Sequence, residues 1–345
     1  MTKKTISVCM IAKDEEHFLK QCLENIKEIA DEIIVVIDNR SSDGTERIAR
    51  EFGAKVELFR WCEDFSAARN RSLELATKDW IFVIDPDEEL SEEGIQRIKE
   101  TVNDPLYDKM QIVGFKLDQR TYRLQDRTRY VPLKKRFDMK NYTDHKSSML
   151  VRLFKNSPKI RFRHRVHELV EDSIRENKGK IIDSGVVLHH FAALKGMEFY
   201  LDKIKHYTDI MVKQLKDDPN NIRYLFQAGN IFFDNEEYDT ALNYYSKVAE
   251  KNPKYGLIHS EIAQCHLKRG DILEAIKSFN TSLRMRPDEP SAANNLAVLY
   301  MKTGKYDVAR QILEKYIERF PDNEPLKFNM KALQEKTLTT STTTN

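Results

Sequence analysis

No run of apolar residues in this chain approaches the roughly 18 that a membrane-spanning helix requires. The opening Met1-Thr2-Lys3-Lys4 leads into a strand-length apolar run and not into a signal peptide. Cysteine is scarce as well. Cys9, Cys22, Cys62 and Cys265 have no metal-ligand spacing, and the first two fall at expected core positions, a pattern of free thiols in a reducing, cytoplasmic compartment. Glycine and proline number only 11 and 10 in 345 residues, which excludes collagen-like and low-complexity classes. The glycine loops that cradle phosphates are missing: no G-x-G-x-x-G follows the first strand and no G-x-x-x-x-G-K-S/T occurs anywhere. A Rossmann dinucleotide domain and a P-loop ATPase therefore lose their main support. Charge of one sign is also lacking, with 57 Lys plus Arg against 55 Asp plus Glu, so nucleic acid is not an expected partner.

What is present is a folded chain, 40% hydrophobic and 32% charged, long enough for two domains. Ile6 to Ile11 reads as a strand, followed by a helix opening near Asp14 with Phe18, Leu19, Cys22, Ile26 and Ile29 at helical spacing. Glu32 to Asp38 is a second strand, its apolar run long enough to be covered on both faces. Asn39 to Thr45 is a polar turn in which Ser42 or Asp43 is placed to cap a helix carrying Ile48, Ala49 and Phe52. A third strand at Val56 to Phe59, a helix from Phe65 to Ala76, a fourth strand from Trp80 to Ile84 and a helix starting near Ser91 complete the series. Such alternation predicts a βα-repeated, mostly parallel sheet with helices on both faces.

The fourth strand runs directly into Asp85-Pro86-Asp87-Glu88-Glu89, delivering carboxylates to the rim where open α/β sheets bind ligands. Two carboxylates one residue apart in extended backbone point in different directions, so one can hold a divalent cation while the other meets a neighbouring group. The plainer alternative is an acidic turn that caps the next helix. Asp38 ends the second strand on the same side of a parallel sheet.

Four blocks in order, Ser7 to Glu16, Val35 to Thr45, Phe65 to Asn70 and Ile81 to Glu88, together resemble the nucleotide-sugar-binding half of a family-2 glycosyltransferase of the GT-A fold. The resemblance implies a Rossmann-like mixed α/β sheet. It places Ala12 and Glu15 near the uridine of a UDP-sugar, Asp38 on the uracil N–H and Arg69 beside the base or pyrophosphate. It puts Asp85 and Asp87 on the D-x-D motif, the first facing the ribose or a metal-bound water and the second ligating Mn²⁺ or Mg²⁺. Pro86 stands where the family often has a small residue. Arg69 is otherwise a surface residue of its helix, and Trp61 with Asp64 either shapes the approach to the base or packs the sheet edge.

From Met110 to His190 the strand-like pieces Ile112 to Leu117, Met149 to Phe154 and Lys180 to Leu188 are expected to complete a mixed sheet that forms the acceptor side. Arg120 to Arg136, basic and interleaved with Tyr122, Tyr130 and Phe137, reads as a loop over a pyrophosphate or acidic peptide, or as a solvated insertion. His167-Glu168 lacks the second histidine of H-E-x-x-H, so a zinc peptidase is unsupported. Glu168 is a candidate general base for the acceptor proton, favoured by a similar V-H-E block in related repeat-bearing enzymes; Asp144 is the alternative base, and His145 and His164 are weaker candidates. The other reading of Glu168 is a strand-edge carboxylate paired with an arginine. Leu188-His189-His190-Phe191 resembles the family segment that supplies a third metal ligand, which selects His190 over His189, and imidazole suits Mn²⁺ better than Mg²⁺.

A 34-residue shift superposes Ala241, Ala275 and Ala309, then Pro253, Pro287 and Pro321, and also Tyr245, Phe279 and Leu313. This is the tetratricopeptide pattern. Gly270 and Gly304 occupy the turn that Glu236 fills in the first copy. The expected organisation is a catalytic domain over 1–195, a linking helix over 196–219, the all-α repeat array with a capping helix over 220–336, and a threonine-rich disordered tail over 337–345, with the modules closely packed. Repeat arrays present a surface suited to a peptide or to self-association as a homo-oligomer.

The leading expectation is metal-dependent inverting transfer of a hexose or N-acetylhexosamine from a UDP-sugar. Resemblance to peptide S- and O-glycosylating enzymes with C-terminal repeats makes a Cys, Ser or Thr acceptor attractive. The alternatives are transfer to a saccharide of a surface polymer, a non-catalytic peptide-binding protein with a degenerate first half, and a nucleotidyltransferase, for which Lys13 alone is thin support.

Overall fold

The computed structural model describes residues 3–124 and 136–342. They form two compact units, Met1–Ile210 and Met211–Asn345.

In the first unit β1 (Ile6–Ala12), α1 (Glu16–Ile26), β2 (Glu32–Asp38), α2 (Thr45–Glu51), β3 (Lys55–Phe59), α3 (Phe65–Leu75) and β4 (Trp80–Val83) alternate as expected. Then follow β5 (Glu88–Leu90), α4 (Glu92–Asn103), α5 (Pro105–Lys109), β6 (Ile112–Leu124), β7 (Tyr142–Lys155), α6 (Glu171–Glu176) and β8 (Lys180–His190). A 3-10 turn, Ala192–Lys195, leads into α7 (Met197–Asp217), within which the boundary between the two units falls. All eight strands join one mixed sheet in the order β3-β2-β1-β4-β7-β6-β8-β5. β1 pairs in parallel with β2 and β4, whereas β7 runs antiparallel to both β4 and β6.

Period-two alternation explains why the central strands are apolar throughout. Val8, Met10, Val35, Ile37, Trp80 and Phe82 enter the core on one face, with Leu19, Leu23 and Ile98 from the helices. Cys9, Ile34, Val36, Ile81 and Val83 enter the other, with Ala68, Leu73 and Ile174. Each large side chain so buried contributes about 1.5–3 kcal/mol, so polar residues are pushed to the strand ends.

The helix starts show which polar residues are spent on local structure. Asp64 caps α3 by accepting from the Ala67 N–H at 3.1 Å, and Ser91 caps α4 through the Gly94 N–H at 3.1 Å. At α2 the residue in the cap position is Gly44, and of the two side chains expected to accept a helix N–H it is Asp43 that does so, from Thr45 at 2.9 Å. Across the turn Asp43 also accepts from the N–H of Glu16 at 2.9 Å. β5 was not expected as a strand. It pairs antiparallel with the end of β8, and the Asn25 amide of α1 bonds both the N–H and the C=O of Leu90 on its open edge.

The second unit stacks α8 (Ile222–Asp234), α9 (Tyr238–Lys251), α10 (Ile258–Lys268), α11 (Ile272–Met285), α12 (Pro290–Lys302), α13 (Tyr306–Arg319) and α14 (Glu324–Thr342). The superposed Ala241, Ala275 and Ala309 are all fully buried, and Tyr245, Phe279 and Leu313 fill the same layer of each hairpin. The last helix runs past the boundary expected at 336 and is described to Thr342.

Two substitutions test this packing. A Cβ on Gly229 would stand 2.6 Å from Cδ1 of the buried Tyr245, so Gly229→Ala trades about 1 kcal/mol of helix propensity for overpacking of about 1–3 kcal/mol. A lower melting temperature is expected despite the better helix former. At the hairpin turn Glu236 has φ 64° where Gly270 and Gly304 have 84° and 75°. Glu236→Gly is expected to raise unfolding free energy by about 1 kcal/mol in urea titration, since it removes a left-handed penalty of that order.

Candidate active site

The rim beyond β4 is a closed turn: the Glu88 N–H donates to the Asp85 C=O at 3.0 Å and the Glu88 carboxylate accepts from the Asp85 N–H at 2.8 Å. Pro86 fits its second position, where a fixed φ is wanted and no N–H is needed. This turn sends Asp85 and Asp87 to different partners.

Asp85 is held by two arginines. Arg69 of α3 donates through Nη2 to Oδ1 at 2.7 Å, and Arg152 of β7 through Nη2 to Oδ2 at 3.3 Å. Burial works to raise the Asp85 pKa, but Arg69 and Arg152 outweigh it and hold the carboxylate below its ordinary range. Arg69 also donates through Nε to Glu168 Oε1 at 3.0 Å, and Arg152 also meets the fully buried Glu88 at 2.9 Å. Arg69 is therefore no surface residue; its side chain is 6% exposed.

Asp87 meets a different set. Its Oδ2 lies 3.0 Å from Lys195 Nζ and 3.4 Å from His190 Nε2. Desolvation opposes the charge, yet Lys195 and His190 keep Asp87 well below the usual carboxylate range. His190 Nδ1 is engaged by the Thr121 hydroxyl at 2.8 Å, which leaves Nε2 facing Asp87. His189, one residue earlier, bonds the Tyr122 hydroxyl at 2.7 Å and stacks on its ring. The two histidines thus reach different partners, as consecutive strand residues must.

Lys195 is shared with a second carboxylate, Glu15 Oε1 at 2.6 Å. Burial, with Asp87 nearby, pushes Glu15 up to about 7 against the pull of Lys195.

Asp38, at the end of β2, is buried and clasped by Arg40, whose Nε stands 3.0 Å from Oδ1. Burial opposes ionisation of Asp38, and the Arg40 bonds prevail, so its pKa falls below the ordinary value. Arg40 lies 5.4 Å over the Trp61 ring, which packs edge-on against Phe65 at 4.8 Å. Ala12 is the buried last residue of β1. Asp144 lies apart from these groups on β7, 54% exposed and paired with Arg123 at 3.2 Å. Glu168 is 14% exposed and takes the arginine-paired form, with Arg69 as its partner. His145 is exposed, and His164 Nε2 meets Asp172 at 3.4 Å. Within the basic segment Arg136 holds Glu89 at 2.5 and 2.6 Å, whereas Tyr130 lies outside the described residues.

Among the described residues no group of three His, Cys, Asp or Glu side chains is arranged to hold a metal ion. Asp87 and His190 nevertheless fit a cation that also takes oxygens from a substrate. Two ligands at about 2.1 Å from one Mg²⁺-sized ion stand roughly 3.0–3.4 Å apart, and such sites use one or two protein groups plus phosphates. Asp85 has both oxygens on guanidinium groups.

Sequence reasoning missed Arg152, Thr121 and Lys195. These lie on strands or in a turn, where nothing local marks them.

This mixed sheet, with carboxylates at the carboxyl ends of its parallel strands, has the GT-A-like α/β architecture, and the second unit is a helical repeat array. The Glycosyl transferase family 2 model matches residues 7–164, and the tetratricopeptide repeat model matches 226–290 and 262–324. A TPR repeat-containing protein of Synechococcus elongatus is 30% identical over 89% of this chain and 74% of its own length. The SPbeta prophage-derived glycosyltransferase SunS of Bacillus subtilis is 26% identical over 73% of this chain, which spans only 54% of that protein. Among solved structures, the MamA protein is similar to 40% of this chain and 75% of its own, at 18% identity and a TM-score of 0.37. Residues 7–164 thus form a family 2 glycosyltransferase domain, which is followed by a C-terminal tetratricopeptide array.

The raised pKa of Glu15 carries a pH signature. Between its ordinary value of 4.5 and about 7 the folded state binds more protons than the unfolded chain, so this group's contribution to stability is lost as pH rises across that window. Glu15→Gln removes the loss. Its stability relative to the unsubstituted protein is expected to improve by on the order of 2–3 kcal/mol from pH 4.5 to pH 8, read by denaturant titration; a constant difference would exclude the protonated carboxyl.

Proposed function

We propose that this glycosyltransferase moves a hexose or N-acetylhexosamine, with inversion, from a UDP-sugar to a Cys, Ser or Thr side chain of a peptide or protein in the cytoplasm. The observation that carries the donor reading is Asp87 Oδ2 facing His190 Nε2 at 3.4 Å, in a buried site that already draws the Lys195 ammonium to the same oxygen. It is a place built for positive charge. Asp87 and His190 are the residues that would hold Mn²⁺ or Mg²⁺, with Asp85 acting beside them through Arg69 and Arg152. A divalent cation supplies charge stabilisation for the diphosphate that departs.

Asp38, kept ionised by Arg40, accepts the uracil N–H, and Ala12 and Glu15 lie beside the uridine. Arg69 fixes Glu168 through one oxygen, and no described residue bonds the other. That free oxygen takes the proton of the acceptor hydroxyl or thiol. As it does so, the acceptor atom bonds the anomeric carbon, and the electron pair of the breaking C–O bond leaves with the diphosphate. Glu168 is preferred to Asp144 because it touches the Arg69 and Asp85 network, whereas Asp144 is an exposed strand residue. The peptide acceptor rests on the repeat array, an architecture that suits extended chains. No helix among the described residues is long and apolar enough to cross a membrane.

Incubation with a panel of UDP-sugars, Mn²⁺ and Cys-, Ser- or Thr-containing peptides should add one sugar mass to a peptide by mass spectrometry. Asp87→Asn should cut metal-dependent turnover at least about 100-fold with the fold intact. Turnover unchanged in that variant removes Asp87 from the cation site. Transfer to an oligosaccharide alone overturns the peptide acceptor, and absence of transfer, hydrolysis and UDP binding overturns the donor.

A further inference from the structure

The carboxylates of the site are shared among cations in a fixed pattern. Arg69 serves Asp85 and Glu168, Arg152 serves Asp85 and Glu88, and Lys195 serves Glu15 and Asp87. Lys203 of α7 stands outside this pattern. Among the described residues no carboxylate lies within 4.0 Å of its ammonium, which instead sits 5.5 Å over the ring of Tyr207. Tyr207 packs edge-on against Phe65 at 5.3 Å, at the start of the helix that carries Arg69, and against His167 at 5.7 Å, the neighbour of Glu168. Lys203 is one helical turn before Tyr207 on α7; its ammonium interacts electrostatically with Asp87, Asp85 and Glu15, and the Tyr207 ring lies near enough to Glu168 and Asp85 to feel their charge.

Two further donors nearby are unspent. Arg69 Nη1 and Arg152 Nε are buried without an acceptor; among the described residues the buried carboxylate oxygens without a donor are Glu15 Oε2 and, on β6, Asp118 Oδ1. Buried N–H groups without partners are costly unless a ligand supplies acceptors. The Lys203 ammonium, Arg69 Nη1 and Arg152 Nε are N–H donors that a ligand rich in anionic oxygens would satisfy.

We infer that Lys203 contacts the diphosphate of the donor, with Tyr207 as the residue that positions its ammonium. The inference rests on the UDP-sugar reading and extends it to a residue beyond the sheet. An ammonium is suited to the task because it is a compact charge with three donors that adapts to phosphate oxygens. The aromatic face beneath it limits the arc its long stem sweeps.

The test is calorimetric titration of the full chain with UDP and with uridine, each in Mn²⁺ and again in EDTA. Lys203→Met is expected to weaken UDP about ten-fold or more in both buffers and to leave uridine unchanged, because only the phosphate contact is lost. Lys203→Arg should restore most of the UDP affinity, and Tyr207→Leu should weaken UDP by a smaller factor, again sparing uridine. If Lys203→Met does not melt cooperatively, Lys203→Gln serves for the same comparison. Equal loss of UDP and uridine, or UDP affinity matching the unsubstituted protein, overturns the inference while the donor reading stands. Failure of the unsubstituted protein to bind UDP overturns both.

Discussion

Burying carboxylates side by side is the constraint on which the catalytic unit depends. Asp87, Glu88 and Glu89 are consecutive and all buried, and Asp85 stands two residues before them. Each such ion costs several kcal/mol to desolvate unless a partner of opposite charge is fixed against it. The partners come from the whole unit: Arg69 from α3, Arg152 from β7, Lys195 from the turn after β8, and Arg136 from before β7. Removing any one leaves a charge stranded, so the sheet order that places β7 beside β4, and β8 beside β5, is also the order that balances the site.

The same arrangement divides labour between the two aspartates of the Asp85-Pro86-Asp87 turn. Asp85 spends both oxygens on arginines and so ties α3 and β7 to the strand end. Asp87 meets a lysine and an imidazole, each held from its other side, Lys195 by Glu15 and His190 by Thr121. The glutamate that follows closes the turn and anchors Arg152, with the Gln119 amide completing its shell. Acidic residues that look redundant along the chain therefore have separate tasks, set by the alternating directions of their side chains.

Legibility in the sequence followed the range of the physics. Strands such as Ile34–Ile37 and Ile81–Val83 announce themselves because burial on both faces leaves no polar position. The repeats announce themselves because each hairpin must present the same small residue and the same large one to the next. β5 was opaque for the opposite reason: Glu88-Glu89-Leu90 has poor strand propensity, and its stability comes from Arg152, Arg136 and the Asn25 amide, all distant in the chain. Lys195 was invisible likewise, since nothing near it in the chain marks a lysine that reaches Glu15, 180 residues away.

His189 and His190 show where the two kinds of information meet. Strand geometry alone guarantees that adjacent histidines diverge, one to each face, but it does not say which face carries the site. That is decided by register: His190 lies opposite Glu88 on one side and Thr121 on the other, which brings its ring beside Asp87. Slipping the β8 pairing by one residue would exchange the two rings and put the Tyr122-bound imidazole at the carboxylate. The bulged pairing between β6 and β8 around Lys116 and Asp118 lies upstream of that choice, so the irregular stretch of the sheet sets the phase in which its functional end is read.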